Sequence, residues 1–100
     1  MLDLVAKKLF LTKGVGVADD KLTSFEFALR QAGIAGTNIV LISSIFPPNA
    51  KLIPRKEGLK LIKPGQILFT IYSRNQTNET NRLISASVGI AQPKDRSKYG

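Results

Sequence analysis

Two adjacent serines, Ser43 and Ser44, sit inside the stretch "NIVLISSIFPPNA", residues 38 to 50. They fall between an apolar run, Ile39 to Ile42, and the double proline Pro47-Pro48. Serine hydroxyls are among the few side chains here that could carry chemistry, so the pair is a candidate for it. The plain alternative is a pair of strand-end hydroxyls that bond their own backbone and end the pairing. On spacing alone the plain reading is favoured.

The rest of the composition narrows the chemistry. The 100 residues contain no cysteine and no histidine. Thiolate nucleophiles, imidazole bases, disulfides and most zinc sites are therefore excluded, and no metal site is expected. Catalysis would have to use hydroxyls, carboxylates, amides, lysine or the backbone. Asn38 lies six residues before Ser44, where an Asn entering a strand from a turn is ordinary. Glu26 has two structural explanations, a capping box with Thr23 and an i,i+4 pair with Arg30.

The elements that would position these residues read as α+β. "KLFLT", residues 8 to 12, is a first strand. It runs into Lys13-Gly14-Val15-Gly16, read as a turn because the downstream glycine of a dinucleotide fingerprint is missing. Thr23 with Glu26 places a helix start at about Ser24. Leu22, Phe25, Leu29 and Ala32 form its apolar stripe, Phe27 falls on the opposite face, and Gly33 ends it. Ile39 to Ile42 reads as a central strand covered on both faces. "KLIP" is a short extended piece, "KEGLKLIKPG" a turn-rich connection, and "QILFTIYS", residues 66 to 73, a strand. "RLISASVGIAQ", residues 82 to 92, is read as another. The expectation is one domain over residues 1–100, with about four or more strands and a helix packed on them.

The net charge is +8, with 15 Lys and Arg against 7 Asp and Glu. The positive residues are scattered and do not interleave with aromatics, which disfavours nucleic acid as a primary partner. No apolar run approaches the roughly 20 residues of a membrane span. "MLDLVAKKLFLTKG" lacks the long apolar core of a signal peptide. The expected location is the cytoplasm.

Taken together, "FALRQAGIAGTNIVLISSIFPPNAKLIP", "LIKPGQILFTIYSRNQT" and "ISASVGIAQPKD" resemble the pyruvoyl-dependent arginine decarboxylases, from about Phe10 to Gly100. The diagnostic part is the combination of "AGI…N…ISSI-PP" with the later "SASVGIA-PKD". The resemblance implies an αββα sandwich, of which this chain would be the N-terminal two-thirds. It implies self-cleavage into 1–43 and 44–100, with Ser44 attacking the Ser43 carbonyl and becoming a covalent pyruvoyl cofactor. That group would form a Schiff base with L-arginine and yield agmatine and CO2. It implies that Asn38 is an active-site asparagine, that Glu26 holds the substrate guanidinium and that Gly36 approaches the substrate through its backbone. Processed units would pair into a homotrimer with sites between neighbours. Family members continue past the "PKD" loop to a catalytic glutamate, a closing strand and a helix. That glutamate is not among these residues, so a fragment or a short non-catalytic product is the alternative, ahead of a basic RNA-binding domain.

Overall fold

The computed structural model describes residues 3–100. Met1 and Leu2, the start of the stretch read against a leader, lie outside the described residues. The elements are β1 (Lys8–Leu9), α1 (Lys21–Ala32), β2 (Asn38–Leu41), β3 (Lys51–Leu52), α2 (Arg55–Leu61) and β4 (Ile67–Thr70). The α+β class stands. The described strands form two separate parallel pairs, β1 with β3 and β2 with β4, rather than one sheet. Parallel neighbours cannot be joined by a hairpin and need a crossover. Here α1 lies between β1 and β3, and β3 with α2 lies between β2 and β4.

Helix α1 starts three residues before the expected position. Its N-cap is Asp20, whose carboxylate accepts the Thr23 N–H at 2.7 Å and the Thr23 hydroxyl at 2.8 Å. An ionised carboxylate is a stronger acceptor for the free N–H groups of a first turn than the Thr23 hydroxyl would be. Thr23 therefore becomes the third helical residue. Gly33 ends the helix in the left-handed conformation, φ 85°, as expected from its lack of a Cβ. Leu22 is on the right side for the stripe but is 79% exposed, because the first turn extends beyond what packs on the helix.

What packs there is the segment expected to be a turn. Residues 12–18 run extended along α1, and their burial alternates. Thr12, Gly14, Gly16 and Ala18 are shielded, while Lys13, Val15 and Val17 face solvent. A Cβ on Gly14 would run into the Ala28 carbonyl, and one on Gly16 into the Ser24 carbonyl. The glycine pair therefore lets one backbone lie directly on another. Polar ties fix the register: Thr12 Oγ1 donates to Ala32 O at 2.7 Å, and Val15 N–H donates to Gln31 Oε1.

The turn-rich connection is a helix, α2. Pro54 precedes it, Glu57 sits in its first turn and Lys60 in its last. Gly58 in its middle is required because the Phe10 ring occupies the place of a Cβ. Arg55 at its start donates from Nε to Thr12 Oγ1 at 2.9 Å and from Nη2 to Gln31 O at 3.0 Å. A guanidinium at the C-terminal carbonyls of α1 also meets the negative end of that helix. The small core lies here, with Ala32, Ile34, Ala50 and Ile53 buried.

The β2/β4 pair is not covered on both faces. Ile39 and Leu68 are half-buried on one side. Val40, Ile42, Ile67, Phe69 and Ile71 share the other side and are exposed. Residues 82–92, expected as a strand, have no ladder partner and are not a strand; Leu83 is 95% exposed. A strand is stabilised by the neighbour it bonds, and β4 already has β2 on one edge. The radius of gyration, 15.3 Å, exceeds the roughly 13 Å of a compact domain of this length.

Two stability predictions follow from these contacts. Gly16→Ala should cost about 1–3 kcal/mol in denaturant unfolding, the range for overpacking a tight contact, whereas Val17→Ala on the exposed side should cost little. Asp20 is held below the ordinary carboxylate range, first by the Thr23 N–H and next by the Thr23 hydroxyl. Its contribution is therefore full above the unfolded-state value and is lost as pH falls through the lower folded value. Asp20→Asn keeps an acceptor but cannot titrate. Thermal melts between about pH 5 and about pH 2 should show a shallower acid decline for Asp20→Asn than for wild type.

Candidate functional site

The serine pair lies where the β2 ladder stops. Ile42 N–H still donates to Thr70 O at 3.1 Å. The chain then turns, and the Ser43 carbonyl accepts the Ile45 N–H at 2.9 Å. A bond between residues two apart closes a γ-turn centred on Ser44. Ser44 is not among the positive-φ residues, so this is the common inverse form. Both serines are exposed. The carbonyl preceding Ser44 is thus held and polarised by a backbone donor, next to an exposed serine.

The chain after the turn is fixed at several points. Phe46 exchanges two backbone hydrogen bonds with Gly100, its N–H to Gly100 O at 2.8 Å and the Gly100 N–H to Phe46 O at 3.0 Å. Asn49 N–H donates to Arg96 O at 2.7 Å. Pro47 to Ala50 form a β-turn closed by Ala50 N–H to Pro47 O at 3.2 Å, with Asn49 at φ 59°. Proline at the second position and a left-handed Asn at the third define a type II turn. The 96–100 run is itself ordered by Asp95, which accepts the Ser97 hydroxyl at 2.6 Å and the Ser97 N–H at 3.0 Å. These two bonds, the hydroxyl's first, hold the Asp95 carboxyl below its ordinary value. An open groove of about 420 Å³ lies beside this clamp, with Lys51 and Arg96 among its lining residues.

Asn38 and Gly36 are assembled at the other end of β2. Asn38 Nδ2 donates to Gly65 O at 2.8 Å, and Gly65 N–H donates to Gly36 O at 2.7 Å. Gly65, at φ 81° in the Pro64-Gly65 turn, links both. Asn38 N–H bonds Gln66 O at 2.8 Å and starts the ladder. At about 3.3 Å per residue, Asn38 and Ile42 are roughly 13 Å apart along the strand. Within one chain the structure therefore brings Asn38 and Gly36 together and keeps both away from Ser43 and Ser44.

Glu26 is on α1. Its Oε1 accepts Arg30 Nε at 3.2 Å, the i,i+4 pair anticipated from the sequence. Both side chains are largely exposed, so the pair is screened and worth little to stability. Its neighbour Phe25 is covered by the Arg74 guanidinium, 3.7 Å from the ring centroid, and by Tyr72 at 6.0 Å between centroids. Phe27 is on the outer face with Arg30 over its ring at 5.6 Å, as expected. Among the described residues there is no cluster of three or more potential metal ligands, and no helix is long and apolar enough to cross a membrane.

Sequence reasoning missed the Ile45 N–H, because the donor is backbone and any residue but proline supplies one. It also missed Gly65 as the link between Gly36 and Asn38. Pro64-Gly65 was legible as a turn, but a partner 27 positions from Asn38 has no local signal.

Comparison with known proteins adds two findings. The family model for pyruvoyl-dependent arginine decarboxylase (PvlArgDC) matches residues 8–100. Relatives named pyruvoyl-dependent arginine decarboxylase include one from Nitrosopumilus maritimus, 79% identical over all 100 residues, and one from Thermoplasma volcanium, 55% identical over the same span. One from Picrophilus torridus is 53% identical. The match takes in the whole of this chain but 55% of each of these relatives, so the chain spans about half their length.

The Asn38 tie gives a measurable consequence. Asn38→Ala should cost about 0.5–1.5 kcal/mol, the net worth of one hydrogen bond. Amide exchange at Gly65 should quicken with it, since the loop that holds Gly36 loses one of its two anchors.

Proposed function

The chain belongs to the pyruvoyl-dependent arginine decarboxylase family, and on that premise we propose a self-processing carboxy-lyase that converts L-arginine to agmatine and CO2. The observation that carries this reading is the Ser43–Ser44 turn, with the Ser43 carbonyl bonded and Ser44 exposed. Ser44 Oγ attacks the Ser43 carbonyl carbon. The C–N bond breaks, and the hydroxyl proton ends on the freed Ser44 nitrogen, giving an ester. Loss of the residue 44 α-proton with breakage of the Cβ–O bond releases Ser43 as a carboxylate and leaves dehydroalanine. Water then replaces the nitrogen, which leaves as ammonia, and residue 44 becomes a pyruvoyl group heading the 44–100 fragment.

The residues present fit such a group. A serine at a solvent-facing turn is its precursor, and no cysteine or histidine is required. When formed, the group supplies an electrophilic carbonyl and an electron sink for loss of CO2. The chain's own residues do the binding. Glu26 is the carboxylate for the substrate guanidinium, and it already receives one from Arg30. Asn38 orients groups at the reacting centre through its amide, and Gly36 offers a backbone approach with open space around it.

Gly36 and Asn38 lie at the start of β2 and Ser44 beyond its finish, so one chain does not bring them together. We assign the completed site to neighbouring subunits of a homotrimer, with the αββα sandwich as the complete fold and the cytoplasm as its location. The bare apolar face of the β2/β4 pair supports burial in an assembly.

Denaturing mass spectrometry tests the reading. Processing gives pieces 1–43 and 44–100, the second resistant to Edman degradation. Ser44→Ala should stay intact. A wild-type chain found only at full length with a free N-terminus would sink self-cleavage. Cleavage without agmatine from L-arginine would leave processing intact and remove the lyase activity from this chain.

A further inference from the structure

We infer that the backbone N–H of Ile45 is the oxyanion donor for the first step of self-cleavage. This rests on the Ser43–Ser44 processing proposed above and names the group that drives it. As Ser44 Oγ adds to the Ser43 carbonyl carbon, the C=O electron pair moves onto the Ser43 oxygen. That oxygen already accepts the Ile45 N–H at 2.9 Å. Among the described residues, this is the one hydrogen bond the oxygen receives. A donor in place before charge develops stabilises the transition state without reorganising to meet it.

The donor's position is set from downstream. Ile45 is followed by Phe46, held by two backbone bonds to Gly100, and by Pro47-Pro48, whose φ angles are fixed. The type II turn and the Asn49 bond to Arg96 O hold the far side. The segment before Ser43 is held by the ladder up to Ile42. The one short stretch left to adjust, Ser43 to Ile45, is closed by the γ-turn itself. The arrangement needs no ionisable side chain, which suits a chain without histidine or cysteine. It also places no demand on the side chain of residue 45, which is 51% exposed.

The test is a 100-residue chain assembled by ligation with an ester in place of the Ser44–Ile45 amide, which deletes this N–H and otherwise weakens a Ser44 carbonyl that accepts no hydrogen bond among the described residues. The same replacement before exposed Val17 is the control. Cleavage is followed by intact mass, which separates a 44–100 product from hydrolysis of the inserted ester. The expected result is a fall in the processing rate of about 100- to 1000-fold, the range for losing one oxyanion donor. Neutral hydroxylamine should not restore cleavage, because the block precedes the ester it would capture. The Val17 control should process like wild type. A Ser44–Ile45 ester chain that cleaves at the wild-type rate overturns the inference while leaving self-cleavage intact. A wild-type chain that never cleaves removes self-cleavage and this inference with it. Should the ester chain fail to fold, NMR on Ser44→Ala decides. A hydrogen-bond coupling between the Ile45 nitrogen and the Ser43 carbonyl carbon supports the assignment, and its absence overturns it.

Discussion

The parallel pairing of β2 with β4 is the constraint on which the rest depends. Two strands running the same way cannot be joined by a tight turn, so a crossover must carry the chain from the end of one to the start of the other. Here that crossover contains the serine turn, the proline turn, β3 and α2. The strand therefore has two chemically distinct ends. At its start, the Gly65 turn gathers Gly36 and Asn38. At its finish, loss of the ladder after Ile42 frees the Ser43 carbonyl to close on Ile45. A register slip of one residue would reverse every side chain on the strand and would move Asn38 off Gly65.

A chain without histidine or cysteine must find its chemistry elsewhere, and this fold draws on the backbone. Gly14 and Gly16 let an extended segment lie on α1, so that Thr12 can serve both the Ala32 carbonyl and Arg55. The serine turn uses a backbone donor on a backbone carbonyl. Such groups carry no charge to desolvate and have no side-chain rotamer to order. Their position is set by secondary structure, which suits the self-cleavage proposed above.

Much of this was legible, and the failures have physical causes. The stripe of Phe25, Leu29 and Ala32, the Gly33 terminator, the outward Phe27 and the Glu26–Arg30 pair are local features of α1, and the sequence read them correctly. The helix start was misplaced because Asp20 and Thr23 both offer cap oxygens, and only the folded geometry shows that the carboxylate wins. Gly14-Val15-Gly16 reads as a turn and residues 56–65 as a turn-rich connection, yet in both segments a glycine answers a distant neighbour, α1 or Phe10, rather than a bend. Residues 82–92 have strand composition, but pairing is a property of two segments, and no described segment pairs with them. The serine pair was singled out by its residues. The turn around it was not, because a γ-turn on Ser44 leaves no mark in residue type.

The apolar face of the β2/β4 pair calls for a cover, from another subunit or from a further segment of the fold. Val40, Ile42, Ile67, Phe69 and Ile71 are each more than a third exposed on one side of the sheet, so each still has on the order of 1 kcal/mol to gain from burial. Parallel sheets are ordinarily covered on both faces. Val40 and Ile42 alternate with the core-facing Ile39 on the same strand that begins at Asn38 and ends at the serine turn. Any surface that buries this face must lie along that strand and approach both of its ends. On the reading proposed above, hydrophobic burial and completion of a site divided between those ends would be one event, with the sheet supplying the driving force.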